Sequence, residues 1–108
     1  MSQQTLEIDI LNWIADRTSD SALKSQCQNA KIKSREYTKV GYFTNFRTDE
    51  TAQKATLHQA DIEPQIISPE VPNTAGCVLF LSNGYIKCLE IYTFGDNFPE
   101  NIQTYTLK

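Results

Sequence analysis

Histidine and cysteine are the side chains of this 108-residue chain that could most readily supply nucleophilic or metal chemistry, and they are few. His58 is the single histidine, and no second ligand stands at metal-binding spacing from it. The cysteines Cys27, Cys77 and Cys88 form no CxxC pair. Cys77 and Cys88 occupy the most hydrophobic segment of the chain, where thiols are expected to pack as small apolar groups. The sequence therefore predicts neither a metal site nor a cysteine nucleophile.

Motifs that bind cofactors or activate a serine are also absent. The four glycines, at positions 41, 76, 84 and 95, are too scattered for a GxSxG, GxGxxG or GxxxxGK[ST] motif. We therefore predict no enzyme and no cofactor. The number of cysteines is odd, which argues against a disulfide framework. The N-terminus has neither a basic start nor a long apolar run, so we predict no signal peptide. We expect a cytoplasmic protein that does not enter the membrane, since no apolar stretch approaches the ~20 residues of a span.

Charge is distributed unevenly along the chain. The net charge is −3, but residues 1–47 carry +2 and residues 48–108 carry −5. An acidic half of this kind suits a basic partner, although solubility alone is the commoner reason for it. Alternating basic residues at positions 31–39, interleaved with aromatic ones, could bind single-stranded nucleic acid. We expect them instead to be an exposed strand face, because the acidic remainder of the chain repels phosphates, and we predict no nucleic-acid partner.

Carboxylates near aromatic side chains form the remaining candidate surface. Aromatic anchors surrounded by charge are typical of protein interfaces. The alternative is that Phe94 and Phe98 are core residues at the end of a sheet. The predicted partner-binding residues are Asp49, Glu50, Tyr92, Asp96, Asn97, Phe98 and Glu100.

Helical periodicity is confined to the N-terminal quarter of the chain. Leu6, Ile10 and Ile14 recur at helical spacing and predict a helix over residues 4–16, with Glu7 and Asp9 facing water. The polar run at 17–21 supplies a break and an N-cap for a second helix at 21–28.

The rest of the chain has the composition of strands. Strands are predicted at 31–35 and 40–46, with a short edge strand at 66–67 between prolines and a last strand at 102–107. The strongest pattern is the hairpin at 77–93, where Asn83-Gly84 separates two apolar runs and favours a type I′ turn. The fold class is therefore α+β: one domain, residues 1–108, with two N-terminal helices packed on a twisted antiparallel sheet of five or six strands.

The hairpin turn also predicts a register. With Asn83-Gly84 as a two-residue loop, Ser82 pairs with Tyr85, Leu79 with Cys88 and Cys77 with Glu90. One face then carries Cys77, Leu79, Leu81, Ile86, Cys88 and Glu90. We expect this face to pack under the helices. A glutamate at its end then either lies at the sheet rim or is held by a hydrogen-bonding partner, with a structural role favoured over a partner-binding one.

Three segments resemble a family of short bacterial proteins. They are ALKSQ at 22–26, SREYTKVGYFT at 34–44 and VLFLSNGYIKCLEIYT at 78–93. The family pattern has a leucine-containing helix, a strand pair similar to SREYTxVGFFT, and then VLFxxDGxLxxLExYTYG. Asn83 replaces the usual aspartate of the turn, which leaves the turn chemistry unchanged. The likeness covers about residues 22–107.

Some members of that family resemble immunity proteins of contact-dependent growth inhibition and related toxin systems. The resemblance thus implies a non-enzymatic cytoplasmic protein that binds the C-terminal domain of a cognate toxin, for example a basic nuclease, and neutralises it. The alternative is a small-molecule-binding or metabolic accessory protein with a pocket between helices and sheet. A pocket lined by Trp13 and tyrosine side chains would favour that alternative.

Overall fold

Two helices and six strands make up the fold in a computed structural model, which describes residues 3–95, 97–99 and 102–108. The helices are α1 (Gln3–Arg17) and α2 (Ser21–Gln28). The strands are β1 (Ile32–Thr38), β2 (Gly41–Phe46), β3 (Ile66–Ser68), β4 (Val71–Ser82), β5 (Tyr85–Thr93) and β6 (Thr106–Leu107). They form one sheet in the order β1-β2-β5-β4-β3-β6, and every neighbouring pair is antiparallel. The predicted α+β class is confirmed, with six strands.

Both helices bury their apolar stripes against one face of the sheet. Leu6, Ile10 and Ile14 of α1 are fully buried, as the helical spacing predicts, and Leu23 of α2 joins them. The side chain of Asp20 accepts a hydrogen bond from the backbone N–H of Leu23 at 2.9 Å and caps the start of α2. No helix within the described residues is long and apolar enough to cross a membrane.

Glu7 does not face water, so that expectation is wrong. Its side chain is completely buried between α1 and the sheet, where its carboxylate accepts hydrogen bonds from the Arg35 guanidinium on β1 at 2.7–3.2 Å. The Thr44 hydroxyl on β2 donates to the same carboxylate. A buried carboxylate must be paired in this way to offset its lost hydration, so Glu7 ties α1 to the first two strands.

The predicted hairpin turn is present between β4 and β5. Asn83 and Gly84 both have positive φ, at 55° and 86°, as a type I′ turn requires, and Ser82 pairs with Tyr85. A side chain at Gly84 would also come within 2.8 Å of the Ala55 carbonyl oxygen, so glycine is needed there for space as well as for φ.

Beyond the turn, the predicted pairing of Leu79 with Cys88 is wrong. The register shifts by one residue between Phe80 and Leu81, where β5 contains an extra residue. Cys88 therefore pairs with Phe80, and Glu90 pairs with Val78. A bulge of this kind reverses the alternation of side chains between the two faces of the sheet, so the residues of β5 after the bulge lie on the face opposite to the predicted one.

The shift also corrects the predicted faces and the packing of one cysteine. Leu89 and Ile91 are buried under the helices, and Cys77 pairs with Ile91 rather than with Glu90. Cys88 and Glu90 lie instead on the opposite side of the sheet, where both are half-buried. The bulge buries two large apolar side chains and spares the sheet the desolvation of a carboxylate, which is why it is favoured over unbroken alternation.

The observed strand boundaries differ most from the predicted ones in the segments that contain prolines. β4 begins at Val71, six residues before the predicted start, and it tolerates Pro72 because this part of the strand pairs with β3 alone. The last strand is shorter than the predicted 102–107, because only Thr106–Leu107 pairs with β3. Ile102 is fully buried in the core instead.

The sheet consequently has two different faces. The helix face, which α1 and α2 cover, carries the buried side chains of the central strands, including Tyr42, Thr44 and Leu79. We call the other side the open face. Its side chains alternate with the buried ones along β2, β5 and β4 and continue across the pairing onto β1. They are all half-buried or exposed: Ser34, Glu36, Phe43, Asn45, Val78, Phe80, Cys88, Glu90 and Tyr92.

Candidate partner-binding surface

The predicted partner-binding residues do not form one surface, because the structure places them at opposite ends of the sheet. Asp49 and Glu50 lie beside the β4–β5 turn, where the Tyr85 hydroxyl donates to the Glu50 carbonyl at 3.1 Å. Tyr92 and Phe98 lie at the other end of β5. At a rise of about 3.3 Å per residue, the two ends are on the order of 20 Å apart.

Of the three remaining predicted residues, one lies beside Phe98 and two are outside the described residues. Asn97 is exposed next to Phe98. Asp96 and Glu100 are outside the described residues. The structure thus brings Tyr92, Asn97 and Phe98 to one end of the sheet and separates them from Asp49 and Glu50.

The turn end contains a cleft between α2 and the hairpin. The cleft has a volume of about 190 Å³, and Ser25, Asn29, Arg47, Asp49 and Tyr85 are among its lining residues. The Asp49 carboxylate accepts hydrogen bonds from the backbone and hydroxyl of Thr51, and these bonds hold the pKa of that carboxyl below its usual range. The lining is mostly polar, and Arg47 and Asp49 are exposed.

Gln26 holds this cleft together. Its side-chain amide donates to the carbonyls of Gln53 and Gly84, both at 2.8 Å, and its amide oxygen accepts from the backbone N–H of Ile86 at 2.8 Å. One buried side chain therefore fixes α2, the loop after β2 and the hairpin turn to one another. Because both of its amide donors are used and its oxygen already accepts a backbone bond, Gln26 serves to position the cleft.

The other end of the sheet is aromatic. We call the group Tyr37, Val40, Tyr92, Phe94 and Phe98 the aromatic end. Tyr37 and Phe94 are about 60% and 59% exposed, and Val40 is 40% exposed. The backbone N–H of Phe98 donates to the Lys39 carbonyl at 3.0 Å, which brings the chain after β5 against the β1–β2 turn. Exposed large apolar side chains are typical of interaction surfaces. Here they lie on both sides of the sheet, because Tyr37 is opposite the buried Tyr42 and Tyr92 belongs to the open face.

Ring contacts join these aromatic side chains to the fold. Tyr37 stacks on the buried Tyr42 with ring centroids 5.3 Å apart, and Phe98 contacts the same Tyr42 edge-on at 5.6 Å. Tyr92 and Phe94 form a second edge-to-face pair at 5.6 Å. Of the two phenylalanines for which a core role was the alternative, Phe98 is half-buried against the core and Phe94 is exposed.

The open face continues from the aromatic end through Tyr92. Gly76 pairs with Tyr92, and the Tyr92 ring lies where a Gly76 side chain would be, so the ring covers the bare strand and is held against it. Next to this pair, Glu36, Phe43, Glu90 and Val78 form one cross-strand row. A second row contains Ser34, Asn45, Cys88 and Phe80.

The residues considered first for catalysis are not assembled for it. Burial raises the pKa values of Cys27 and Cys77 to about 12, so both thiols stay protonated at neutral pH. His58 is exposed, and its backbone carbonyl accepts from the Leu81 N–H at 2.9 Å. Among the described residues, no group of three His, Cys, Asp or Glu side chains could hold a metal ion.

Sequence reasoning missed the open face as a candidate surface. Glu36 and Phe43 were available in the strand pattern, but the faces of neighbouring strands can be combined only when the register is known. Phe43, half-exposed at the centre of the sheet, is opposite Glu36 on β1 and Glu90 on β5.

Comparison with known proteins gives no relative: no family model, curated protein or solved structure matches the chain.

Proposed function

We propose that the chain is the immunity protein of a bacterial toxin system. It binds the C-terminal domain of a cognate toxin in the cytoplasm and blocks that domain by contact, without catalysis of its own. The observation that carries the proposal is the aromatic end, where Tyr37, Val40 and Phe94 expose large apolar side chains that the fold does not bury. Such side chains become favourable when a partner covers them.

Two features of the sequence support this proposal. The strand and hairpin motifs at 34–44 and 78–93 resemble those of a bacterial family with toxin-immunity members. The −5 charge of residues 48–108 suits a basic partner such as a nuclease, whose phosphate-binding site an acidic protein can occupy and approach by electrostatic steering.

Co-expression tests the proposal directly. Cells that produce the C-terminal domain of the cognate toxin, to be sought among large secreted proteins encoded next to this chain, should survive when the chain is co-produced, and the two proteins should co-purify. Phe94→Ala should weaken co-purification, because it removes an exposed aromatic side chain from the aromatic end. Ile8→Ala is the matched control, since Ile8 is 46% exposed on α1.

If the chain neither protects the cells nor binds the toxin domain, the immunity function is excluded for that pair. Equal losses for Phe94→Ala and Ile8→Ala would instead remove the aromatic end from the interface.

The cleft between α2 and the hairpin favours a second candidate, the binding of a small molecule. Its volume of about 190 Å³ is below the ~300 Å³ at which ligand pockets commonly begin, and it would hold only a small polar compound. Tyr85 lines the cleft, but Trp13 does not and stacks with Arg17 instead, at 4.1 Å from guanidinium carbon to ring centroid.

One variant separates the two candidates. Ala30 lines the cleft, so Ala30→Phe would fill it and leave the aromatic end untouched. Protection that survives Ala30→Phe and fails with Phe94→Ala supports the immunity function. The reverse pattern supports the small-molecule candidate.

A further inference from the structure

The open face is the part of the sheet that the fold leaves incomplete. The helix face of β2, β5 and β4 is covered by α1 and α2, and its side chains are buried, whereas on β1 Arg35 is half-buried and Tyr37 is exposed. On the open face, Phe43 and Val78 are half-buried and Phe80 is 37% exposed. Tyr92 connects these side chains to the aromatic end.

Two carboxylates stand at the centre of this face. Glu36 and Glu90 are the direct cross-strand neighbours of Phe43, one on each side. With strands about 4.8 Å apart, the two glutamates are separated by roughly 10 Å. Both charges also act on one nearby group, because burial, Glu90 and Glu36 together raise the pKa of the Cys88 thiol while Lys87 lowers it.

Neither carboxylate is neutralised within the described part of the chain. The salt bridge found there joins Glu7 to Arg35 on the helix face, and no described side chain forms a hydrogen bond or ion pair with the carboxylate of Glu36 or Glu90. Lys87, at the bulge in β5, is the cation beside this face, and it is exposed. The charges of the two glutamates are therefore available to a partner.

We propose that the open face, centred on Phe43 between Glu36 and Glu90, is the docking site for a basic protein surface. The inference rests on the proposed function and identifies the occupant as the basic surface of the toxin domain. A lysine or arginine from the partner can pair with each glutamate while apolar side chains cover Phe43, Val78 and Phe80. Nucleic acid and anionic membranes are repelled by the same carboxylates, and a second copy would place four of them face to face.

Charge reversal at the two glutamates tests the docking site. The probe is the toxin domain against which the chain protects cells in the co-expression test, and the readout is surface-based association kinetics at two salt concentrations. Glu36→Lys combined with Glu90→Lys should slow association by about tenfold or more at low salt, and the difference should shrink as salt rises. Asp16→Lys, an exposed reversal on α1, is the charge-matched control for each single reversal, Glu36→Lys and Glu90→Lys, and should associate faster than either of them.

Each result decides between stated alternatives. Circular dichroism and thermal unfolding should show that all variants remain folded, because Glu36 and Glu90 have no partner to lose. If the wild type binds and the double variant binds equally well, the docking site is overturned and the immunity function stands. If the wild type does not bind at all, both fall.

Phe43→Asp, followed by sedimentation, addresses the remaining occupant. A monomeric wild type whose toxin binding is lost in Phe43→Asp supports the docking site. A wild-type dimer that dissociates in Phe43→Asp would assign the face to a second copy of the chain and overturn the proposal.

Discussion

The two faces of this sheet use the same residue types in opposite ways. On the helix face, Glu7 is fully buried and paired with Arg35, and its neighbours fill the core. On the open face, Glu36 and Glu90 flank a half-exposed Phe43 without a partner in the described part of the chain. A carboxylate that is buried must be satisfied by the fold itself, whereas one that remains hydrated is free to meet another molecule.

This difference indicates that the helix face determines the stability of the fold and that the open face is available for binding. Changes on the helix face should cost folding free energy, because they leave buried groups unpaired or create cavities. Changes on the open face should leave folding almost unaffected and alter recognition. The predictions below are ordered by the size of the effect expected on stability.

The largest effect is expected from Glu7→Gln. It leaves the Arg35 guanidinium without an anionic partner, and it should lower the free energy of unfolding by about 3 kcal/mol. This is the lower end of the range for buried pairs, because Arg35 is 27% exposed and burial raises the pKa of the Glu7 carboxyl despite Arg35. Glu90→Gln is the matched change on the open face and should cost less than about 0.5 kcal/mol. Urea unfolding monitored by Trp13 fluorescence measures both. Equal losses would contradict the division between the two faces.

Gly84→Ala should have the next largest effect, about 2 kcal/mol. The substitution combines strain at a φ of 86° with a contact of 2.8 Å to the Ala55 carbonyl oxygen. Gly95→Ala is the control for φ alone, since Gly95 has a φ of 98° and nothing within 4 Å of the added carbon. Thermal unfolding should therefore show the smaller loss, about 1 kcal/mol, for Gly95→Ala. Identical losses would exclude a role for the packing of the turn against residues 54–55.

Glu63→Gln should have the smallest effect on the free energy of unfolding, and that effect should depend on pH. Burial raises the pKa of this carboxyl above its ordinary value of 4.5, although the Leu79 N–H donates to it at 2.7 Å. The folded state then binds a proton more readily than the unfolded state, so stability falls as pH rises from about 4.5 through the raised pKa. Glu63→Gln removes this dependence and keeps an acceptor for Leu79.

Thermal midpoints measured between pH 4 and pH 8 test the sign. Glu63→Gln should gain stability relative to the wild type as pH rises from 4, and the difference should become constant above the raised pKa, where the wild-type carboxyl is ionised in both states. The other carboxyls are present in both proteins, so their titration cancels in the difference. A difference that shrinks with rising pH would show that the Glu63 carboxylate is favoured by the fold.

Local sequence chemistry was sufficient for the elements of this fold. The spacing of Leu6, Ile10 and Ile14 predicted α1, and Asn83-Gly84 predicted the hairpin and its turn type. These features depend on neighbours within a few residues, so the sequence alone carries them.

Long-range pairing was beyond the sequence. The bulge in β5 is favoured because it buries Leu89 and Ile91 under the helices, and the sequence pattern of the strand alone does not reveal this gain. The partner of Glu7 is 28 residues away, at Arg35, so helical periodicity alone placed that glutamate in water. The same dependence on register explains why Glu36, Phe43 and Glu90 were not combined into one candidate surface.

Cys88 offers the most direct test of the claim that the open face binds the partner. Its thiol lies in the row next to Glu90 and Phe43 and is half-exposed, while Cys27 and Cys77 are buried. Prolonged native labelling with a bulky maleimide at mildly alkaline pH, chosen because the pKa of the Cys88 thiol is raised, should therefore give a single adduct at Cys88, which mass spectrometry can locate. Cys88→Ser treated in the same way is the control and should bind the toxin domain like untreated protein. The account predicts that the folded, singly labelled wild type no longer binds the toxin domain; labelled protein that binds with unchanged affinity would contradict it.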